Sequence, residues 1–208
     1  MSNLKLGFYS SIIATILTTI FALSMVLGNN SLSFGSCMIL SWSYVTLTCA
    51  FVTNVSNGKK SLGYAGVIFA AIYSAFITLV YYTQLTTVNQ NAASNEILRV
   101  LRFEPGSWMF AFDLMGYAMM AISTFFIGVS LDAKTRAYKW LKGLLIAHGL
   151  FAPMCIIFPM INVFQNTQNV ENTSIIGMIG LVGWCIYFIP TMVLAAIYFY
   201  RESKIFRG

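Results

Sequence analysis

Charge is what this 208-residue chain most lacks. Only 9% of its residues are charged, 58% are hydrophobic, and the mean hydropathy is +0.76. A soluble domain carries roughly 25% charged residues. Too few polar groups remain here to cover a surface in water, so lipid has to be part of the solvent. Histidine occurs once and proline four times, and no lysine falls in the middle of an apolar run.

Each absence removes a chemistry. One histidine excludes a multi-histidine zinc hydrolase, and it excludes haem held by two histidines within a single chain. Without a lysine in mid-span, a retinal Schiff base has nowhere to form. The motifs H-E-x-x-H, G-x-S-x-G and the phosphate-binding G-x-x-x-x-G-K-[ST] are missing. Carboxylates are too few for a metal-dependent lipid phosphatase or transferase. No catalytic residue, metal site or cofactor is assigned on these grounds, and a non-enzyme is the favoured reading. The four cysteines, Cys37, Cys49, Cys155 and Cys185, all lie in apolar runs with no C-x-x-C pair. Free buried thiols are expected rather than a disulfide framework.

What is present is six apolar runs, at 6–28, 34–53, 62–85, 107–131, 140–164 and 175–200. Each meets the length of about 20 residues needed to cross about 30 Å of hydrocarbon as a helix. All are too long for barrel strands, which need about 10 residues each. The expected fold is all-α: a polytopic membrane protein of one domain, residues 1–208, built as a six-transmembrane-helix bundle. The first run is too long for a cleavable leader and is expected to stay as a signal anchor.

The basic residues set the expected topology. Lys5, Lys59, Lys60, Lys134, Arg136, Lys139, Lys142, Arg201, Lys204 and Arg207 fall on one side of six crossings; only Arg99 and Arg102 fall on the other. By the positive-inside rule both termini are cytoplasmic and the protein sits in a cell membrane, in the manner of small polytopic proteins of bacterial inner membranes. The net charge of +6 is thus a topology signal and a contact for anionic lipid. Nucleic acid is excluded as a partner, because no basic groove or stacking platform accompanies the charge. The partners expected are the bilayer, a small molecule and, on a second reading, another protein.

Two loops reach the outer side. The longer, 86–106, begins polar and turn-prone; its stretch Glu96–Phe103 predicts a short interfacial helix capped by Ser94 or Asn95. Glu104-Pro105-Gly106 ends that helix and turns the chain into the fourth span. The second loop, 165–173, reads as a plain connector. Tyr81, Tyr82 and Trp108 fall at the outer boundary as a belt, and Tyr9, Tyr64, Tyr138, Trp140, Tyr198 and Tyr200 at the inner one. That leaves Trp42, Tyr44, Tyr73, Tyr117, Trp184 and Tyr187 deep in the membrane, where tyrosine and tryptophan need hydrogen-bond partners.

Asp113 is the only charged residue in the interior of a run; Lys142 stands within three residues of the start of its own. Such a group costs at least about 2.5 kcal/mol in hydrocarbon and is seldom kept without a partner or a job. Asp113, Gly116, Tyr117, Met120 and Thr124 share one face at helical spacing. Met115 and Met119 lie on the opposite face, where methionine is adaptable apolar filler rather than a soft-metal ligand. In the fifth span His148 shares a face with Ala152, Cys155, Pro159 and Asn162, and Pro153 and Pro159 predict a kink. The sixth span opens with Gly177, Gly180 and Gly183, whose first reading is close helix packing.

The favoured reading is an integral membrane protein that binds or transports a small amphiphilic or cationic ligand through an outward-facing intramembrane pocket. Its ligand-binding residues are Asp113, Tyr117, Tyr81, Trp42, Tyr73, Trp184 and Tyr187, with His148 and Thr124 as proton-relay candidates and the outer interfacial helix as a lid. An alternative is an accessory or scaffold subunit that docks a partner protein. A third is an intramembrane enzyme working on quinone or lipid. An Asp113 that only glues helices together is the structural counterpart of all three.

Overall fold

The computed structural model describes residues 2–161, 163 and 170–205; of 170–176 and 205 it describes only the backbone. Asn162, and the expected connector 165–173 up to residue 169, fall outside that set. The chain forms α1 (Asn3–Val26), α2 (Asn30–Val52), α3 (Lys60–Thr83), α4 (Asn95–Leu101), α5 (Trp108–Ser130), α6 (Arg136–His148), α7 (Phe151–Met160) and α8 (Val170–Ile205). No strand occurs among the described residues. Six helical segments are long and apolar enough to cross a membrane: α1, α2, α3, α5, α6 with α7, and α8.

Local chemistry starts and stops these helices. Ser2, Asn29, Ser107 and Thr135 stand at the N-caps of α1, α2, α5 and α6, and each side chain accepts from a backbone N–H in the first turn. Gly28, at φ +70, makes the tight turn between α1 and α2 in a conformation that other residues resist. Within the spans, hydroxyls turn back onto their own helix. Ser11, Thr18, Ser24 and Thr191 each donate to the carbonyl four residues earlier, so these polar side chains are satisfied without a neighbour.

The spans form a ring in chain order. α1 packs on α2, α2 on α3, α3 on α5, α5 on α6 and α7, α6 on α8, and α8 returns to α1. Glycines permit the closest approaches. A Cβ at Gly7 would run into the Phe199 ring, which closes the α1–α8 seam. A Cβ at Gly128 would stand 2.9 Å from the Leu145 Cβ and 3.0 Å from the Ile146 backbone nitrogen, which fixes α5 against α6. The middle of the ring is filled by buried Phe21, Tyr44, Tyr73, Tyr117, Trp184 and Phe188, which meet mostly edge-on or tilted.

The fifth span is two helices. α6 ends at His148 and α7 starts at Phe151, with short i→i−3 bonds across the joint (Gly149 to Ile146, Leu150 to Ala147, Ala152 to Gly149). Pro153 lies in the first turn of α7, where its missing N–H costs nothing, so the break falls just before it rather than at it. Gly149 lets the joint press on α5; a Cβ there would meet the Phe125 Cβ at 2.9 Å.

One end of the ring carries both termini, shown by the Phe8–Tyr200 ring contact; the other carries α4. At the terminal end Lys59 pairs with Asp132 and ties the α2–α3 loop to the α5–α6 loop. That ammonium group holds the Asp132 carboxyl below its usual range. At the α4 end, α3 runs on as a π-helical turn, Gln84–Val88. The buried Gln84 amide donates to the Leu101 carbonyl at 2.7 Å and accepts from the Phe103 N–H at 3.0 Å. Those two bonds fasten the end of α4 to the bundle. Ser94 is the N-cap of α4 but makes no capping bond.

Two outcomes test this packing. Gly128→Leu is expected to destabilise the protein by about 1–3 kcal/mol through overpacking, whereas Gly183→Ala, whose Cβ meets nothing within 4 Å, leaves the unfolding midpoint in detergent unchanged. Gln84→Leu is expected to speed amide exchange at Phe103 at least tenfold, measured by hydrogen–deuterium exchange, with the spans still protected.

Candidate functional site

Two buried polar groupings sit inside the ring, one nearer the α4 end and one nearer its middle. The upper one is built by α5, α3 and α2. α5 presents Asp113 and Tyr117 on the face it turns inward; Asp113 is only 2% exposed. The Tyr81 hydroxyl of α3 lies beside the Asp113 carboxyl group. Cys37 of α2 is 3.5 Å from the Tyr117 hydroxyl. Two atoms here have no hydrogen-bond partner among the described residues: the Tyr73 hydroxyl and Oδ1 of Asp113. A buried polar atom left unpaired costs about 1–3 kcal/mol, more when it is charged.

The lower grouping is fully answered. The Trp184 indole N–H donates to His148 Nε2 at 2.9 Å. An indole nitrogen only donates, so Nε2 is an acceptor and the imidazole proton sits on Nδ1. That N–H meets the Thr124 hydroxyl at 2.8 Å, and Thr124 donates onward to the Ala121 carbonyl. His148 is thus a neutral tautomer that clasps α5, α6 and α8 at one level. Below it the Tyr187 hydroxyl donates to the Leu144 carbonyl at 2.6 Å.

Between the groupings lies a cavity of about 260 Å³, walled by α5, α6, α7 and α8. Asp113, Tyr117, His148 and Trp184 are its polar residues; Phe110, Phe151, Phe158 and Leu181 supply much of the apolar wall. Met154, 45% exposed, and the exposed Gly180 mark its mouth, on the outer side of the bundle between α7 and α8. Among the described residues no arginine or lysine lines it. An apolar hollow of about 150 Å³ already accepts a benzene ring, so this one has room for a ring and a short chain.

Of the residues singled out from the sequence, the structure brings Asp113, Tyr117, Trp184 and His148 to the cavity wall. Thr124 stands behind His148 and bonds it. Tyr81 and Tyr73 form the layer behind Asp113; Tyr81, expected at the boundary belt, is buried. Trp42 is elsewhere: it is 48% exposed on the bundle exterior, where its indole N–H donates to Thr78. Tyr187 faces α6 and does not line the cavity. No residue of α4 lines it either. Sequence reasoning missed Phe110, Met154 and Phe158. Plain apolar residues in an apolar chain carry no signal of their own.

The glycines of α8 differ from their first reading. A Cβ added to Gly177, Gly180 or Gly183 meets nothing within 4 Å. Among the described residues no helix packs on them; Gly177 and Gly180 instead floor the cavity. The reason is the break in the fifth span: α6 follows α8, while α7 goes with α5 and leaves this stretch of α8 uncovered.

A second hollow, of about 240 Å³, lies at the α4 end and is lined by Asn30, Gln84, Asn89, Arg102 and Glu104 among others. Phe34 and Phe103 line it too, and both pack on Tyr81 at centroid distances of 5.2 and 6.0 Å. This ring layer stands between the polar hollow and Asp113. Among the described residues no group of three His, Cys, Asp or Glu side chains is placed to hold a metal ion. No known protein family matches the chain, and neither a curated protein nor a solved structure matches it significantly.

The clasp is testable by coupling. Trp184→Phe leaves His148 Nε2 unpaired and is expected to cost about 1–3 kcal/mol. In the His148→Phe background the same change is expected to cost less by at least about 0.5 kcal/mol, since residues of one network are not additive. Equilibrium unfolding of the two single variants and the double variant measures the difference.

Proposed function

We propose that this protein is a membrane receptor or carrier for a small apolar molecule bearing one cationic or hydrogen-bond-donating group, with Asp113 as the group that receives it. One observation carries the reading: Asp113, whose buried Oδ1 has no hydrogen-bond partner among the described residues, is a lining residue of an apolar cavity. Small-molecule sites have this composition, mostly apolar with a few placed polar groups. The ligand's apolar body lies against Tyr117, Trp184, Phe151 and Phe158, and its donor completes the bonding of Asp113. A protonated amine suits the oxygen best, because a charge-assisted bond is about twice as strong as a neutral one.

In this reading His148 and Thr124 are positioning residues. Both imidazole nitrogens are engaged, and the chain of bonds ends at a backbone carbonyl and an indole, neither of which passes a proton on. The α4 end faces the exterior, as the distribution of lysine and arginine argues. A second reading has one observation in its favour. The uncovered glycines of α8 also suit a helix of another protein. A partner that co-purifies at fixed stoichiometry with the Asp113→Leu variant would favour that docking role.

The test uses benzylamine as a small cationic probe and the full chain in lipid nanodiscs. Saturable binding is expected by isothermal titration. Asp113→Asn keeps an acceptor but loses the charge and is expected to weaken binding at least tenfold, with the variant still folded. Equal affinity in wild type and Asp113→Asn, or no binding to either, sinks the proposal.

A further inference from the structure

Depth within the bundle separates the mouth of the cavity from water. Trp184 is level with Thr124, because both bond to His148. Thr124 is eleven residues beyond Asp113 on α5, about 16 Å along the axis at 1.5 Å per residue. Gly180 and Gly177 are four and seven residues before Trp184, so they lie about 6 and 10 Å above it. The exposed rim at Gly180 and Met154 therefore sits well inside the membrane-spanning length of α5, facing hydrocarbon.

The space is long and narrow. It reaches from Asp113 to the level of His148, about 16 Å, yet holds only about 260 Å³. That shape suits a chain better than a disc. Along α8 the floor carries no side chain at Gly177 and Gly180, and the exposed Gly183 continues the stripe beyond it; among the described residues nothing lies within 4 Å of a Cβ added at any of the three. Glycines that serve packing in this fold look different: at Gly66, Gly128 and Gly149 an added Cβ would come within 3.0 Å of a neighbour. The α8 stripe is thus a smooth track with no described residue against it. At its far end stands Asp113, whose Oδ1 is answered by no side chain among the described residues.

We propose that the ligand of this site is a single-chain amphiphile drawn sideways from the bilayer, its donor head on Asp113 Oδ1 and its hydrocarbon laid along Gly177, Gly180 and Gly183 to leave between α7 and α8. This rests on the ligand-binding reading of Asp113 and adds the class of molecule and its route. A second copy of the chain docked on the same stripe is the competing occupant. It would cover the glycines and leave the carboxylate oxygen unmet.

The experiment reads Trp184 alone, in full-length protein carrying Trp42→Phe, Trp108→Phe and Trp140→Phe, reconstituted in nanodiscs. The probes are a long-chain primary alkylamine with bromine atoms in mid-chain and the methyl ester bearing the same brominated chain. Bromine quenches only indoles it touches. The amine is expected to quench Trp184 at concentrations at least tenfold lower than the ester, and both Asp113→Leu and Gly180→Leu are expected to abolish that difference. Gly180→Leu points into open space and is expected to keep the wild-type melting temperature; should it fail to fold, Gly183→Leu serves in its place. Equal quenching by amine and ester overturns the proposal. So does a native mass spectrum showing a dimer that Gly180→Leu dissolves. Benzylamine separates the two levels: if it binds in an Asp113-dependent way while the long amine gives no selective quenching, the site stands and its lipid-borne ligand falls. If neither amine binds, both fall.

Discussion

Inside hydrocarbon every polar side chain has to be answered by the chain that carries it, and this constraint organises the whole bundle. Ser11, Thr15, Thr18, Thr19 and Ser24 of α1 are answered within their own helix. Tyr44 is answered across the ring by Ser123, which passes the bond to the Gly66 carbonyl. His148 is answered on both nitrogens by α5 and α8. These cross-links set the depth at which the helices meet, since each works at only one register. Against that background an unanswered oxygen on Asp113 stands out more than its charge does.

The two groupings divide the work by what they have left over. The His148 clasp has no spare donor or acceptor, so it holds the floor of the cavity in place. Among the described residues the Asp113 grouping has two unmet atoms, Asp113 Oδ1 and the Tyr73 hydroxyl, and an adjoining space. They touch through the Tyr117 and Trp184 rings, 5.0 Å apart and edge to face, and no hydrogen bond joins them among the described residues. A rigid floor and an incomplete wall are what a binding site needs; a proton path needs a continuous chain instead.

Much of the architecture was legible in the residues. Run lengths mark the six spans, and the i, i+3, i+4 spacing of Asp113, Gly116, Tyr117 and Thr124 marks the inward face of α5. Glu96–Phe103 marks the short helix that becomes α4. Other features could not be read this way, for physical reasons. Trp42 and Tyr44 are two residues apart, yet one is on the bundle exterior and the other at its centre. Which of them turns inward depends on where the neighbouring helices sit, and periodicity in an all-apolar run does not reveal that. The α8 glycines have the spacing of a packing motif. They are bare because α7 departs at the Gly149–Leu150 joint, some thirty residues earlier in the chain. The aromatic shield of Phe34, Phe103 and Tyr81 unites three segments that no local pattern connects.

The circular order of the spans has a consequence for how the protein is made. Each helix meets its predecessor in the ring, so during synthesis every newly inserted span finds its neighbour already in the bilayer. One seam is different. α8 must close on α1, the pair most distant in sequence, and only then do Gly7 and Phe199 interlock and Trp184 reach His148. Until the ribosome has delivered the last span, the imidazole has a vacant nitrogen and the barrel of helices stands open along one side. Completion of the site is thereby tied to completion of the polypeptide, and a chain cut short before α8 inserts without ever acquiring its hollow.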